Sequence, residues 1–250
     1  MLLGCGGSGD AATEDPGSLN GDVQVHGALR AMFHEGQIGT QVTLDTLLPD
    51  PHLYAVGALS DLSGEITIVG GETYLSYPEG DQARTEAVSQ PDAGASLLVS
   101  ARVTAWTSVT TKHPIPFETL DEAIGELAAQ AGMDLDRRIP FLLEGEFEDL
   151  RWHVVDGTRL PEGETTHVDH LAASVQTALD RATATLIGFY STGDQGVFTH
   201  MGSTTHIHCI LEEPLATGHV DHVVIPAGTT IKFPAGAGES GTESSGAGTE

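Results

Sequence analysis

The chain has 250 residues, 39% of them hydrophobic and 18% charged, enough for one large domain or two small ones with real cores. Its 36 acidic and 10 basic residues leave a net charge of −26, which makes nucleic acid and anionic membrane surfaces poor partners and suits high solubility in salt. No apolar run is long enough to span a bilayer, and two cysteines, Cys5 and Cys209, imply no disulfide framework.

At the N-terminus, Leu2-Leu3-Gly4-Cys5 resembles the lipobox of bacterial lipoproteins, and the Gly/Ser/acidic run from Gly6 to Asn20 reads as a flexible tether. The basic and apolar stretches that precede a lipobox are missing, so this reading needs a start upstream of Met1. It implies an exported protein of the bacterial cell envelope, lipid-anchored at Cys5. A true start at Met1 with Cys5 unmodified implies a cytoplasmic one.

Asp22 to Gly36 carries Val25, Ala28, Leu29, Met32 and Phe33 at helical spacing, and Gly36 is a natural stop. A short helix is expected over Leu44–Leu48, with Thr43 as its cap and Pro49 behind it. Strands follow at Tyr54–Leu59, Glu65–Val69 and Thr73–Ser76, the last two joined at Gly70-Gly71. Tyr77 to Gly94 is polar with two prolines and reads as a surface loop, and Ser96–Thr110 as one or two strands. Thr119-Leu120-Asp121-Glu122 has the form of a capping box before an apolar stripe of Leu120, Ile124, Leu127, Ala128 and Ala131, closed by Gly132.

Ile139–Phe147 reads as a strand, and Leu150–Val155 as its continuation or neighbour. Asp156–His170 is a polar loop in which His167 and His170 bind metal adventitiously at most, and Ala184–Tyr190 returns to strand. Beyond Pro234 the Gly/Ser/Glu/Thr tail cannot bury enough surface to order itself. The expected class is α+β, a mixed β-sheet in the N-terminal half and a small antiparallel, barrel-like C-terminal half. The expected divisions are 1–20 tether, 21–138 mixed-sheet domain, 139–235 strand-rich metal-binding domain and 236–250 disordered tail.

Thr204–Leu211 and Ala216–Ile225 carry the most chemistry. Both are β-branched and apolar at the flanks, with Glu212-Glu213-Pro214-Leu215 as a turn between them. Closing that turn pairs Leu211 with Ala216, His208 with His219 and His206 with Asp221, all four polar side chains on one face. Three imidazoles so placed can converge on one metal and leave a position open. By parity His222 and Cys209 point the other way, Cys209 as a small buried residue.

These pieces, in this order, resemble the α-acetolactate decarboxylase family. The family's glycine strand ending in Asp-Gly-Glu is matched by Gly57-Ala58-Leu59 and Asp61-Leu62-Ser63-Gly64-Glu65, and its Gly-x-Phe strand by Gly145-Glu146-Phe147. Gly188-Phe189, then His206, His208, Glu212-Glu213 and Gly218-His219, follow with the family's spacing. The resemblance implies zinc, or another divalent transition metal, on His206, His208 and His219, with Glu65 as a further ligand or a proton-handling acid. It also implies a homodimer that turns 2-acetolactate, a 2-hydroxy-3-keto acid, into acetoin and CO2.

Losing CO2 leaves an enediolate, which a chelating Lewis acid stabilises and a carboxylic acid protonates. Three positions depart from the family. His153 takes the seat of an arginine, with Arg151 or Arg159 as possible substitutes; Ala58 replaces a threonine; and no acidic residue lies between Asp221 and Glu239. A catalytically altered relative that binds metal or a small ligand is therefore one alternative. The other is a cupin, in which Glu212 would join His206 and His208, although Ile231 sits where that fold needs a histidine.

Overall fold

The computed structural model describes residues 20–89 and 91–236; Cys5, the tether up to Leu19 and the tail beyond Gly236 lie outside the described residues. Two antiparallel sheets pack face to face. The first comprises β1 (Val23–His26), β2 (Val42–Thr43), β3 (Leu53–Leu59), β4 (Glu65–Val69), β5 (Glu72–Glu79), β6 (Gln82–Val88) and β7 (Gly94–Arg102). Its order is β1-β7-β3-β4-β5-β6, with β2 also on β7. The second comprises β8 (Trp106–Thr110), β9 (Ile139–Val154), β10 (Val175–Tyr190), β11 (Thr205–Glu212), β12 (Leu215–Val224) and β13 (Thr230–Pro234), in the order β10-β11-β12-β9-β13-β8. A further β9–β10 pairing brings this sheet round on itself. The α+β class stands, with one difference. The first sheet is antiparallel in every described pairing rather than mixed, because hairpins and short returns connect its strands.

Three α-helices, with four single 3-10 turns, complete the described chain: α1 (Leu29–Glu35), α2 (Leu120–Gln130) and α3 (His167–Ala173). The helix expected over Asp22–Gly36 is half strand. Val23 and Val25 pair with Ala101 and Val99 on β7, and Gly27, at φ +81°, breaks the chain before α1 begins. Gly36, at φ +64°, ends α1 as expected. The Leu44–Leu48 helix is a single tighter turn over Leu44–Thr46, and Thr43 makes no side-chain cap there. The polar loop expected from Tyr77 is the β5–β6 hairpin around Gly80. It is polar because β6 is an edge strand in water, and its prolines lie at Pro78 and beyond the strand.

Two apolar clusters place the site. One lies between the sheets, where Val56, Ala58, Leu97 and Val99 meet Leu142, Ile187, Phe189 and Phe198. The other seats α2 on the back of the second sheet, through Leu120, Ile124 and Ala128 against Phe141, Leu186 and Cys209. Each large side chain so buried contributes roughly 1.5–3 kcal/mol. Thr119 does not form the expected cap. The Asp121 carboxylate instead accepts from the Thr204 amide at 2.8 Å and the Thr205 hydroxyl at 2.6 Å, tying α2 to the start of β11.

Candidate metal centre

Strand β11 alternates strictly. Ile207, Cys209 and Leu211 enter the core beneath α2, which turns His206 and His208 toward the first sheet. The expected register is present, with Leu211 opposite Ala216 and His208 opposite His219. The turn is tighter than expected, since Glu212 also pairs with Leu215. The expected pairing of His206 with Asp221 is absent. β12 shifts register between Val220 and His222, and the extra residue, Asp221, turns to β9.

One nitrogen from each of His206, His208 and His219 lies within 4.8 Å of the others. His206 and His208 are buried, and each has one nitrogen with no partner: Nδ1 of His206 and Nε2 of His208. Buried polar atoms are rarely left so, and two such nitrogens facing a third imidazole fit the donor set of a transition-metal ion. The other nitrogens are engaged. Thr67 Oγ1 lies 2.9 Å from His208 Nδ1, and the Phe198 carbonyl accepts from the His206 ring. Burial pushes His206 down to about 4 and holds His208 and His219 well below the ordinary histidine value. All three imidazoles are then neutral at pH 7, the form a metal needs.

Glu65 comes from β4 across the sheet interface. Its Oε2 stands 3.8 Å from His208 Nε2, and its Oε1 accepts from the Val155 amide at 3.1 Å. With His208 neutral and the gap too long for a hydrogen bond, this contact is not an ion pair. Desolvation raises Glu65 to about 7, against the opposing pull of His153 and of the Val155 amide. A carboxyl poised there can hold or release a proton near neutrality.

His153 lies beside the cluster, its ring 4.9 Å from that of His219. Its Nδ1 meets Asp221 at 2.8 and 2.9 Å. Burial lowers His153, but the hydrogen bond and charge of Asp221, with Glu65 behind them, outweigh it and raise the net value. Arg151 is not brought to the site. It shares the His153 face of β9 further along, where that face meets water, and forks onto Asp149 at 2.9 and 3.0 Å. Arg159 is held by Asp156 and the Gly80 carbonyl.

The cluster opens into a cavity of about 50 Å³ with Leu29, Met32, Phe33 and Leu97 in its wall. Three histidines that the sequence left out of the site also line it: His167, His170 and His200. His167 and His170 sit on α3 rather than in a loop, started by a capping box between Thr166 and Asp169. The His167 and His200 rings are 4.0 Å apart, and His200 lies 5.5 Å from His219. No periodicity marks His200, whereas the Thr-x-x-Asp box could have revealed α3. The residues required by the cupin alternative are elsewhere: Glu212 is exposed at the turn, and Ile231 is core.

The family model for alpha-acetolactate decarboxylase matches residues 26–235. No curated protein matches the chain. Among solved structures, alpha-acetolactate decarboxylase from Bacillus subtilis strain 168 is similar at a TM-score of 0.65 and 16% identity, over 85% of each chain. Acetolactate decarboxylase from Bacillus subtilis subspecies spizizenii gives 0.67, also at 16% identity and 85% of each chain. A Staphylococcus aureus protein of unknown function, described as similar to alpha-acetolactate decarboxylase, gives 0.62 at 14% identity over 84% of each.

Proposed function

We propose, from the premise that this chain belongs to the alpha-acetolactate decarboxylase family, that it is a metal-dependent lyase releasing CO2 from 2-acetolactate to give acetoin. The observation that carries the proposal is the meeting of three neutral imidazoles, two with unpartnered buried nitrogens, beside a carboxyl whose proton affinity lies near neutrality. His206 through Nδ1, His208 through Nε2 and His219 would hold the ion. A divalent ion of the zinc type, when bound there, supplies a Lewis acid for the hydroxyl and ketone oxygens of the substrate.

The chain's own residues do the rest. Leu29, Met32, Phe33 and Leu97 form the apolar part of the wall and keep the cavity small, which excludes bulk water from the reacting carbon. Glu65 delivers the proton that carbon needs after CO2 departs. His153, oriented by Asp221 at Nδ1 and lining the cavity, serves as the partner of the substrate's polar end, in the seat where family members hold arginine. We further propose a lipid anchor at Cys5 and a cell-envelope location, from the lipobox-like Leu2-Leu3-Gly4-Cys5, and a homodimer, from the family resemblance.

The test is acetoin formation from 2-acetolactate by protein loaded with zinc or cobalt. Turnover is expected, and Glu65→Gln should lose it by roughly 10²–10⁴-fold with metal content unchanged. Metal-loaded protein that makes no acetoin would overturn the decarboxylase reading. One observation favours the second reading, an altered substrate: among the described residues no arginine or lysine lines the cavity. Release of CO2 from another 2-hydroxy-3-keto acid, without acetoin from acetolactate, would select it.

A further inference from the structure

An imidazole that binds metal through one nitrogen must carry its proton on the other, and something must hold that tautomer. We propose that Thr67 is the positioning residue that fixes His208 for metal binding, through a buried hydroxyl relay joining the two sheets; this rests on the metal-centre reading above. Thr67 Oγ1 lies 2.9 Å from His208 Nδ1 and 2.7 Å from Thr217 Oγ1, with all three side chains buried. His208 Nε2 is the unpartnered nitrogen, so the ring proton belongs on Nδ1. Nδ1–H then donates to Thr67, and the Thr67 hydroxyl donates onward to Thr217.

A second pair of hydroxyls holds the Thr217 backbone. Ser76 donates to the Thr217 carbonyl oxygen at 2.9 Å, so its hydroxyl proton is spent there. At the 2.5 Å contact between Ser76 and Thr85, the proton must come from Thr85, which in turn accepts the Thr217 amide at 3.2 Å. Glu65, Ser76 and Thr85 form one cross-strand row, and Thr67 stands two residues beyond Glu65 on the same face. That polar face of the first sheet thus grips the histidine hairpin at His208 on β11 and at Thr217 on β12. A hydrophobic residue at 67 would fill the same space and leave Nδ1 without a partner, and the ring free to turn.

The test is metal affinity, read by titrating the metal-free protein with Co2+ and by Zn2+ competition against a chromophoric chelator. Thr67→Val should bind roughly 10- to 100-fold more weakly than wild type, and Thr67→Ser, which restores the hydroxyl, close to wild type. Should Thr67→Val not fold, Thr217→Val, which removes the next group in the relay, should weaken binding in the same direction. Melting of the metal-free variants separates the roles. A lower melting temperature with unchanged affinity would mean that Thr67 merely packs, and would overturn the proposal. Wild type that takes up metal equally well with either valine variant also overturns it. Wild type that takes up no metal overturns the metal-centre reading, and this inference with it.

Discussion

At the scale of single residues, burial decides which groups carry charge. His170 on α3 is buried against Phe33, its Nε2 bonded to Thr165 at 2.9 Å, and desolvation lowers it from 6.5 to about 4. Between those values the unfolded chain binds the proton and the folded one does not, so stability falls as pH drops through that window and is full above it. For this residue the loss is of order 2 kcal/mol. Urea unfolding of metal-free protein from about pH 7 to 4 should show it, and His170→Gln should flatten the slope; an unchanged slope would contradict the assignment. The convergence of His206, His208 and His219 was largely legible, because histidines two apart on a strand must share a face. Asp221 as the partner of His153 was not. A register shift has no sequence signature here, and parity alone assigned Asp221 to His206.

At the scale of elements, the three imidazoles stay together because β12 lies close on β9. Gly218 makes that approach possible: a Cβ there would lie 2.7 Å from Trp152 Cδ1 and collide with the His153 carbonyl. Gly218→Ala should therefore push β12 off β9 at the position of His219. About 1–3 kcal/mol of stability should be lost, and metal affinity with it. Thermal melting and metal titration check this, and a variant that melts and binds like wild type would show that the strands yield without moving the site. The hairpin itself was readable, since apolar alternation and a proline turn fix one pairing. The β5–β6 hairpin was not, because an exposed edge strand such as Gln82–Val88 has the composition of a loop. The N-terminal segment failed for another reason. Val23, Val25, Leu29 and Met32 satisfy helical spacing, while the first two are claimed by pairing with β7, a contact far off in sequence.

At the scale of the whole molecule, the site belongs to neither sheet alone. The second sheet contributes three imidazoles and His153, the first contributes Glu65 and Thr67, and the facing apolar cluster holds them together. The architecture was visible in the order of strands and helices, but the depth of the histidine pocket was not, because α3 and the His200 segment come from separate connections. Among the described residues no arginine or lysine lines the cavity. A bound divalent ion would then supply the positive charge at the centre. The most direct test is elemental analysis of purified protein, together with its His219→Ala and Glu212→Ala variants. We expect close to one divalent transition metal per chain, lost in His219→Ala and kept in Glu212→Ala. Wild-type protein that stays metal-free after incubation with zinc or cobalt, or a His219→Ala variant that keeps its full complement, would contradict the account.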